Sequence, residues 1–428
     1  MKFIKYGIFL CFVFLFMGCG SQSDSGPTLD FAENNGGITL PDGFQAIIVA
    51  DSVGPARHIT SGDDGDIYMA LSEAHNGNGI AALRDEDGDG KADVVEYFGN
   101  LTGTGIQLHN GYLYRSSDTS IVRYPINEEE LVPSDSAETV VSGFPDQNSH
   151  AAKSFTFDQS GNLYVNIGGP SNACQEEGRT PGSPGQDPCP QLENHAGIWQ
   201  FDANTTGQTF EEDGERFATG IRNSVALDWN KGEDQLYVVQ HGRDQLHSLW
   251  PDYYTVEENA SQPAEEFFQV DKGDNFGWPY AYYNWEKEQK MLAPEYGGDG
   301  ETPAEEGKYE DPIMAFPGHW APNDLTFYSD SLYPGKYMNG AFIAFHGSWN
   351  RAPEPQQGYK VVFVPFDGNT PSGDYEEFAD GFAGADTLKS PGNAEHRPMG
   401  LSVYEDGSLL ISDSQEGKIW RIVYTGDS

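Results

Sequence analysis

The sequence predicts an all-β fold: a six-bladed β-propeller of four-stranded antiparallel blades, closed by pairing of its N- and C-terminal strands. Three observations carry this. A short turn-and-strand signature recurs six times, as GDIY (Gly65 to Tyr68), GYLY (Gly111 to Tyr114), GNLY (Gly161 to Tyr164), DQLY (Asp234 to Tyr237), GAFI (Gly340 to Ile343) and GSLL (Gly407 to Leu410). Most copies follow an apolar, β-rich run, and most precede a further strand such as SIVRY, GIWQF, GYKVVFV or GKIWRI. Finally, ITLPDGFQAIIVAD (Ile38 to Asp51) reads as an extended segment that can complete the last blade beside the C-terminal GKIWRIVY. Repeated sheet units at this spacing are the mark of a propeller.

Taken in order, the chain opens on MKFIKYGIFLCFVFLFMGCG, in which Lys2 and Lys5 precede an apolar run ending at Gly18 and Cys19. This is the pattern of a bacterial export signal, too short and wrongly flanked for a permanent span. LFMGC resembles a lipoprotein signal, which implies cleavage before Cys19 and a lipid on its sulfur. The expected organisation is a signal peptide over 1–18, a polar tether over 19–37 and one propeller over 38–426. The product is then an exported bacterial lipoprotein on the periplasmic or outer face of the cell envelope, held to the membrane by its lipid alone. With Cys11 removed and Cys19 lipidated, Cys174 and Cys189 remain in one Gly/Pro-rich loop. In an exported protein such a pair is expected to form a disulfide.

Blades one to three are compact, and later spacings lengthen through insertions at Asn172–Asn194, Asp252–Glu266 and Trp278–Pro317. Their Pro, Gly, aromatic and acidic content predicts surface loops, which on a rigid scaffold commonly carry function. No strongly amphipathic helix of useful length is evident.

The chain has 428 residues, with 24 Lys and Arg against 67 Asp and Glu and a formal net charge of -43. That excludes a nucleic-acid partner, which needs a basic footprint. Against this acidity, the residues standing just before the inner strands are unusual: Arg57, His150, Arg222 with Asn223, His319 with Asn323, and Arg397. A propeller gathers such positions at one end of its axis. Each alone could be a strand cap bonding loop carbonyls; as a set, Arg, His and Asn converging from five blades point to an anionic ligand.

A second signal is metal-like. In RDEDGDGKADVVEYF, Asp85, Asp87, Asp89 and Asp93 stand at positions 1, 3, 5 and 9 of a twelve-residue loop. Gly90 stands at 6, the Lys91 carbonyl at 7 and Glu96 at 12, the ligand pattern of a Ca²⁺ loop. The flanks read as strands, so the expectation is a structural calcium loop between blade strands, with an acidic turn as the alternative.

Longer stretches then carry a resemblance: ATGIRNSVALDW, HGRDQL followed by PDYYT, GDNFGWPYAYY, LYPGKYMNGAFIAFHGSWNR and HRPMGLSVYEDGSLLISDSQEGKIWRI. With these the chain resembles the glucose/sorbosone dehydrogenase family, soluble quinoproteins that use pyrroloquinoline quinone (PQQ) and Ca²⁺, and looks closest to the sorbosone dehydrogenase-like branch. The resemblance implies a dehydrogenase that oxidises an aldose or sorbosone-like sugar and passes electrons to a membrane quinone or cytochrome. It implies His150 as general base and Arg222 as the group that stabilises negative charge on the quinone oxygen. Cofactor contacts fall on Arg57, Arg222, Asn223, Gly242, Arg243, His346 and Arg397, with the Gly242 and Arg243 carbonyls offered to a Ca²⁺ ion. The chain departs from the better-known soluble glucose dehydrogenases at Ser149, at Arg243, and in lacking a Lys near His346. Trp278, Trp320 and Trp349 are candidates for stacking on cofactor or sugar, although each alone more often serves core or loop packing. A calcium-dependent lactonase-type propeller and a non-catalytic carbohydrate- or protein-binding propeller are the alternatives; the first would require carboxylates and Asn at the axis.

Overall fold

The computed structural model describes Met1 and residues 28–127, 129–133 and 136–426. Six sheets follow one another along the chain. Their innermost strands are Ala56–Ser61, Ile106–His109, Phe155–Phe157, Ala226–Asn230, Pro322–Tyr328 and Pro398–Val403. Each pairs antiparallel with the strand that follows its turn signature, so the repeats do mark the inner hairpins. The last blade is completed by Phe44–Ala50, with Phe44 opposite Tyr424 and Ile48 opposite Trp420. Phe44–Ala50 is the outer strand of that blade, so the two ends of the propeller meet in one sheet and lock the ring.

The repeated motif has a physical cause. Gly65, Gly111, Gly161 and Gly407 adopt φ between 78° and 91°, the left-handed region that glycine enters without strain. In the fourth copy Asp234 takes that conformation itself. In the fifth it moves to Asn339, and Gly340 is small for another reason: a Cβ there would lie 2.1 Å from the Phe363 ring. The tyrosine of the motif is buried between blades. Tyr68, Tyr114 and Tyr237 donate their hydroxyls to the Leu131, Ala203 and Asn369 carbonyls, each in or beside the following blade. One residue type thus fills the inter-blade gap and satisfies a carbonyl there.

The core lies between sheets. The largest cluster joins blades five and six around Phe44, Tyr333, Tyr337, Phe342, Phe378 and Trp420. Among the described residues helices are short, the longest α-helix being Val256–Ser261, and none is long and apolar enough to cross a membrane. Two of the expected insertions run into blade four: Glu265–Val270 is its third strand and Met314–Phe316 its fourth, with a separate hairpin at Ala281–Asn284 and Gln289–Leu292. Cys174 and Cys189 form a disulfide in the first insertion. The described part of the 19–37 segment lies on the propeller: Asp30 and Ala32 donate backbone hydrogen bonds to Asp89 and Ala46. The export signal and Cys19 fall outside the described residues.

Candidate active site

The inner strands run away from a cavity of about 540 Å³ on the propeller axis. Every blade contributes to its wall. Arg57 comes from blade one, Thr104 and Asp118 from blade two, and His150 from the segment leading into blade three. Blade four supplies Asn223 and His241, blade five Asn323 and His346, and blade six Arg397. Of the expected residues, the structure therefore brings together Arg57, His150, Asn223, Asn323, His346 and Arg397. Asp118 is the one carboxylate among the described residues lining it, so the carboxylate set that a lactonase-type metal centre needs is not present among the described residues of this cavity.

The cationic groups are held by few internal bonds. Arg57 Nε donates to Thr104 Oγ1 at 3.1 Å, and burial pulls its pKa down to about 10. Arg397 donates through Nε to the His346 carbonyl and through Nη2 to the Gly347 carbonyl, while Asp413 anchors its backbone amide. Both guanidiniums keep donor capacity toward the cavity, where two-pronged binding of a carboxylate is geometrically natural. His346 and His241 are turned to Ser414 Oγ and the Pro322 carbonyl, and burial depresses the pKa of both.

His150 has the most specific setting. Its Nδ1 lies 2.5 Å from the Gly169 carbonyl, which can only accept, so Nδ1 carries the proton and Nε2 is left with a lone pair. Burial, and then the Arg222 charge, lower its pKa to about 3, so the imidazole is neutral across the physiological range. Gly168 allows the approach: a Cβ there would lie 2.6 Å from His150 Cβ and 2.8 Å from Asn223 Oδ1.

Arg222, expected to face the cofactor, lies behind the wall. It donates to the Asn172 carbonyl (3.2 Å), Asn172 Oδ1 (3.0 Å), the Gly242 carbonyl (2.8 Å) and Asp244 Oδ2 (3.0 Å). Gly242 and Arg243, expected at a cofactor-bridging Ca²⁺, are likewise outside the cavity. The Gly242 carbonyl is taken by that guanidinium, and the Arg243 side chain turns to a buried ion pair with Glu295. A carbonyl shared with a guanidinium, with Asp244 committed to Arg222, Arg179 and Asn350, does not by itself fit a cation there. His319 is also turned away, bonded to the Asn259 carbonyl.

Of the tryptophans, Trp278 is buried and donates to the Asn172 carbonyl, and Trp320 is buried and donates to Gln357. Trp349 is 56% exposed and lies at the cavity rim. His241 in the cavity wall, and Gln147 beside the His150 turn, are not among the residues the sequence marks out. The signal for His241 was its place beside Gly242 in HGRDQL, after the second strand of its blade; Gln147 carries none.

In the Asp85 loop, carboxylate oxygens of Asp85, Asp87 and Asp89 come within 4.8 Å of one another. Asp85 accepts from the Gly88 and Gly90 amides, and Asp93 caps the Glu86 and Asp87 amides. Lys91 pairs with Asp30 through its side chain. Glu96 does not join the cluster: it sits opposite Ala82 within the strand Val94–Phe98. An extended chain carries position 12 away from the loop, where a helix would turn it back.

The planar tricarboxylate of PQQ fits the axial cavity by chemistry: the guanidiniums of Arg57 and Arg397 outnumber its one carboxylate, Asp118, and about 540 Å³ leaves room for a multi-ring acid. Fold and site together define a six-bladed propeller with a cationic axial cavity. The TrAA12-like family profile matches residues 38–425, nearly the whole propeller, and the chain belongs to that family. A PQQ-dependent pyranose dehydrogenase of Coprinopsis cinerea is 29% identical over 231 residues, 47% of this chain and 30% of that protein. An uncharacterised protein of Borreliella burgdorferi is 32% identical over 211 residues, 49% of each chain. The chain thus spans about half, or less, of the curated relatives it matches. Among solved structures, the holo PQQ domain of the Coprinopsis cinerea pyranose dehydrogenase superposes with TM-score 0.71 at 18% identity, covering 94% of this chain and 99% of that one. The calcium structure of a Trichoderma reesei family AA12 enzyme gives 0.73 at 19%, with the same coverage. The PQQ-bound aldose sugar dehydrogenase of Streptomyces coelicolor gives 0.54 at 14%, covering 90% and 99%.

Proposed function

We propose that this protein is a PQQ-dependent dehydrogenase that oxidises the hydroxyl-bearing carbon of a pyranose or related aldose. The observation that carries the proposal is a neutral imidazole, lone pair free, in the wall of a cavity whose charged donors are Arg57 and Arg397. PQQ, when bound, supplies the two-electron acceptor for the carbon-bound hydrogen of the sugar. Arg57 and Arg397 bind its carboxylates and Asn223 and His346 line its place. His150 Nε2 takes the sugar hydroxyl proton and returns it to water at the cavity mouth. Arg222 acts from behind: it fixes the wall through Asn172 and Asp244, and its charge adds to burial in keeping His150 unprotonated.

The finer reading follows the resemblance: an aldose or sorbosone-like substrate, with electrons leaving to a membrane quinone or cytochrome. Ca²⁺ in the Asp85 loop would be structural, bound by Asp85, Asp87, Asp89 and the Lys91 carbonyl. Attachment through Cys19 on the periplasmic or outer face of the cell envelope accords with the Cys174–Cys189 disulfide, which needs an oxidising compartment.

The test is reconstitution. Purified protein is titrated with PQQ in the presence of Ca²⁺, and dye reduction is followed with a panel of pyranoses and aldoses. Saturable PQQ binding and sugar-dependent reduction are expected. Arg57→Ala and Arg397→Ala should each weaken PQQ about 10- to 100-fold, the loss of a charge-assisted bond. Absence of PQQ binding would overturn the proposal. In the same preparation chelator should lower Tm, and Asp85→Ala should abolish that response.

A further inference from the structure

We infer that Gln147 is the positioning residue that holds His150 in its proton-accepting geometry. The inference rests on the functional reading above and concerns a residue three positions before the imidazole. His150 has φ of 55°, in the left-handed region that a non-glycine residue enters only under constraint. The Gln147 side chain supplies the constraint. Its Nε2 lies 2.7 Å from the Ser149 carbonyl, 3.0 Å from the His150 carbonyl and 3.0 Å from the Gly168 carbonyl.

All three partners can only accept, so the amide must present its NH₂ group to them; the opposite orientation would set oxygen against three carbonyls. Two of these carbonyls belong to the turn that carries the imidazole. The third belongs to the segment after Asn162–Ile167, where the next residue, Gly169, accepts the Nδ1 proton of His150. One neutral amide therefore ties the strained turn to the very segment that selects the imidazole tautomer. Its own Oε1 has no partner among the described residues, and the three carbonyl contacts orient the group.

Without the amide, the turn can relax toward negative φ, carrying the ring off Gly169. Nδ1 then loses its fixed acceptor, both tautomers become populated, and Nε2 is a free base only part of the time. The charged and titratable groups acting on His150 are Arg222, Asp244 and His241. Gln147 is neutral and adds nothing to that field, so a change in His150 titration on replacing it reports geometry rather than charge.

The experiment uses ¹⁵N ring spectroscopy of the full-length protein without cofactor, alongside kinetics of the PQQ-loaded enzyme. The wild type is expected to show a single Nδ1–H tautomer for His150 from pH 5 to 8. Gln147→Met keeps the side-chain length but has no donor; it should give mixed tautomers and a His150 pKa raised toward the ordinary imidazole value. It should also lower kcat about 10- to 100-fold, as displaced reacting groups do, with KM for the sugar and PQQ affinity unchanged. Gln147→Ala should behave alike, and Gln147→Glu should be worse than either. A Gln147→Met protein with the wild-type tautomer, or one that loses only Tm, would overturn the inference. If the wild type binds no PQQ and oxidises no sugar, the functional reading fails while the ring spectra still judge the role of Gln147.

Discussion

Arg222 and Asp244 form a buried ion pair at 3.0 Å, and it joins the insertions around the cavity to the propeller wall. Asp244 also accepts from Arg179 in the disulfide loop and from Asn350 in the loop that carries Trp349. Burial works against the Asp244 charge, but Arg222, His319 and Arg179 outweigh it and hold the carboxyl below its usual range. Breaking one partner of a buried pair leaves the other uncompensated, at a cost of about 3–5 kcal/mol. Asp244→Asn should therefore lower the urea midpoint strongly, and it should weaken PQQ binding through the displaced wall. The double variant Arg222→Met/Asp244→Leu should recover part of the stability but none of the binding. Denaturation and PQQ titration of both variants check this; a single variant as stable as the wild type would show that the pair does not hold the loops.

Buried histidines and buried acids act oppositely on the pH dependence of stability. Burial lowers His58 and His150 to about 3. Their folded pKa values lie below the unfolded value near 6.5, so the stability they contribute is complete above that pH and is lost as pH falls toward 3. Burial raises Asp228 to about 6 and Asp324 well above the carboxylate range. For these the folded state binds the proton more tightly, so stability rises as pH falls through the folded pKa. Relative to the wild type, His58→Gln should gain stability as pH drops from 6.5 to 4.5, whereas Asp228→Asn should lose it. Urea midpoints at those two pH values decide the matter; parallel shifts in both variants would refute the assigned directions.

Trp349 stands exposed at the rim while Trp278 and Trp320 are packed inside. An aromatic ring held beside a polar cavity offers a stacking face for a sugar, worth about 0.5–1.5 kcal/mol. Trp349→Ala should raise KM for the sugar about 3- to 10-fold with little change in kcat or PQQ affinity, and Trp349→Phe should restore most of it. Steady-state kinetics test this. An equal loss in PQQ affinity would make Trp349 a cofactor contact instead.

The blades and their order were legible in the amino-acid sequence because each rests on a local rule. The turn before each second strand needs a left-handed residue, supplied by Gly65, Gly111, Gly161 and Gly407, and the tyrosine three residues after each of the first three is buried in the inter-blade gap. Once that register is known, the residues before the inner strands converge on the axis, and so Arg57, His150, Arg222, Asn223, His319, Asn323 and Arg397 could be named together.

What tertiary structure alone decided is which of them face the cavity. Arg222 is adjacent to Asn223 in sequence, yet it is captured from behind by Asn172, fifty residues earlier, and by Asp244. His319 is captured by Asn259 and Trp278 by Asn172. In the calcium loop, spacing nominated Glu96, but a strand rather than a helix follows and carries it off. Local conformation follows from short-range sterics, which the sequence spells out. Partner choice among polar groups depends on insertions that meet only when the ring is closed, because a buried donor bonds to whatever acceptor the packing delivers.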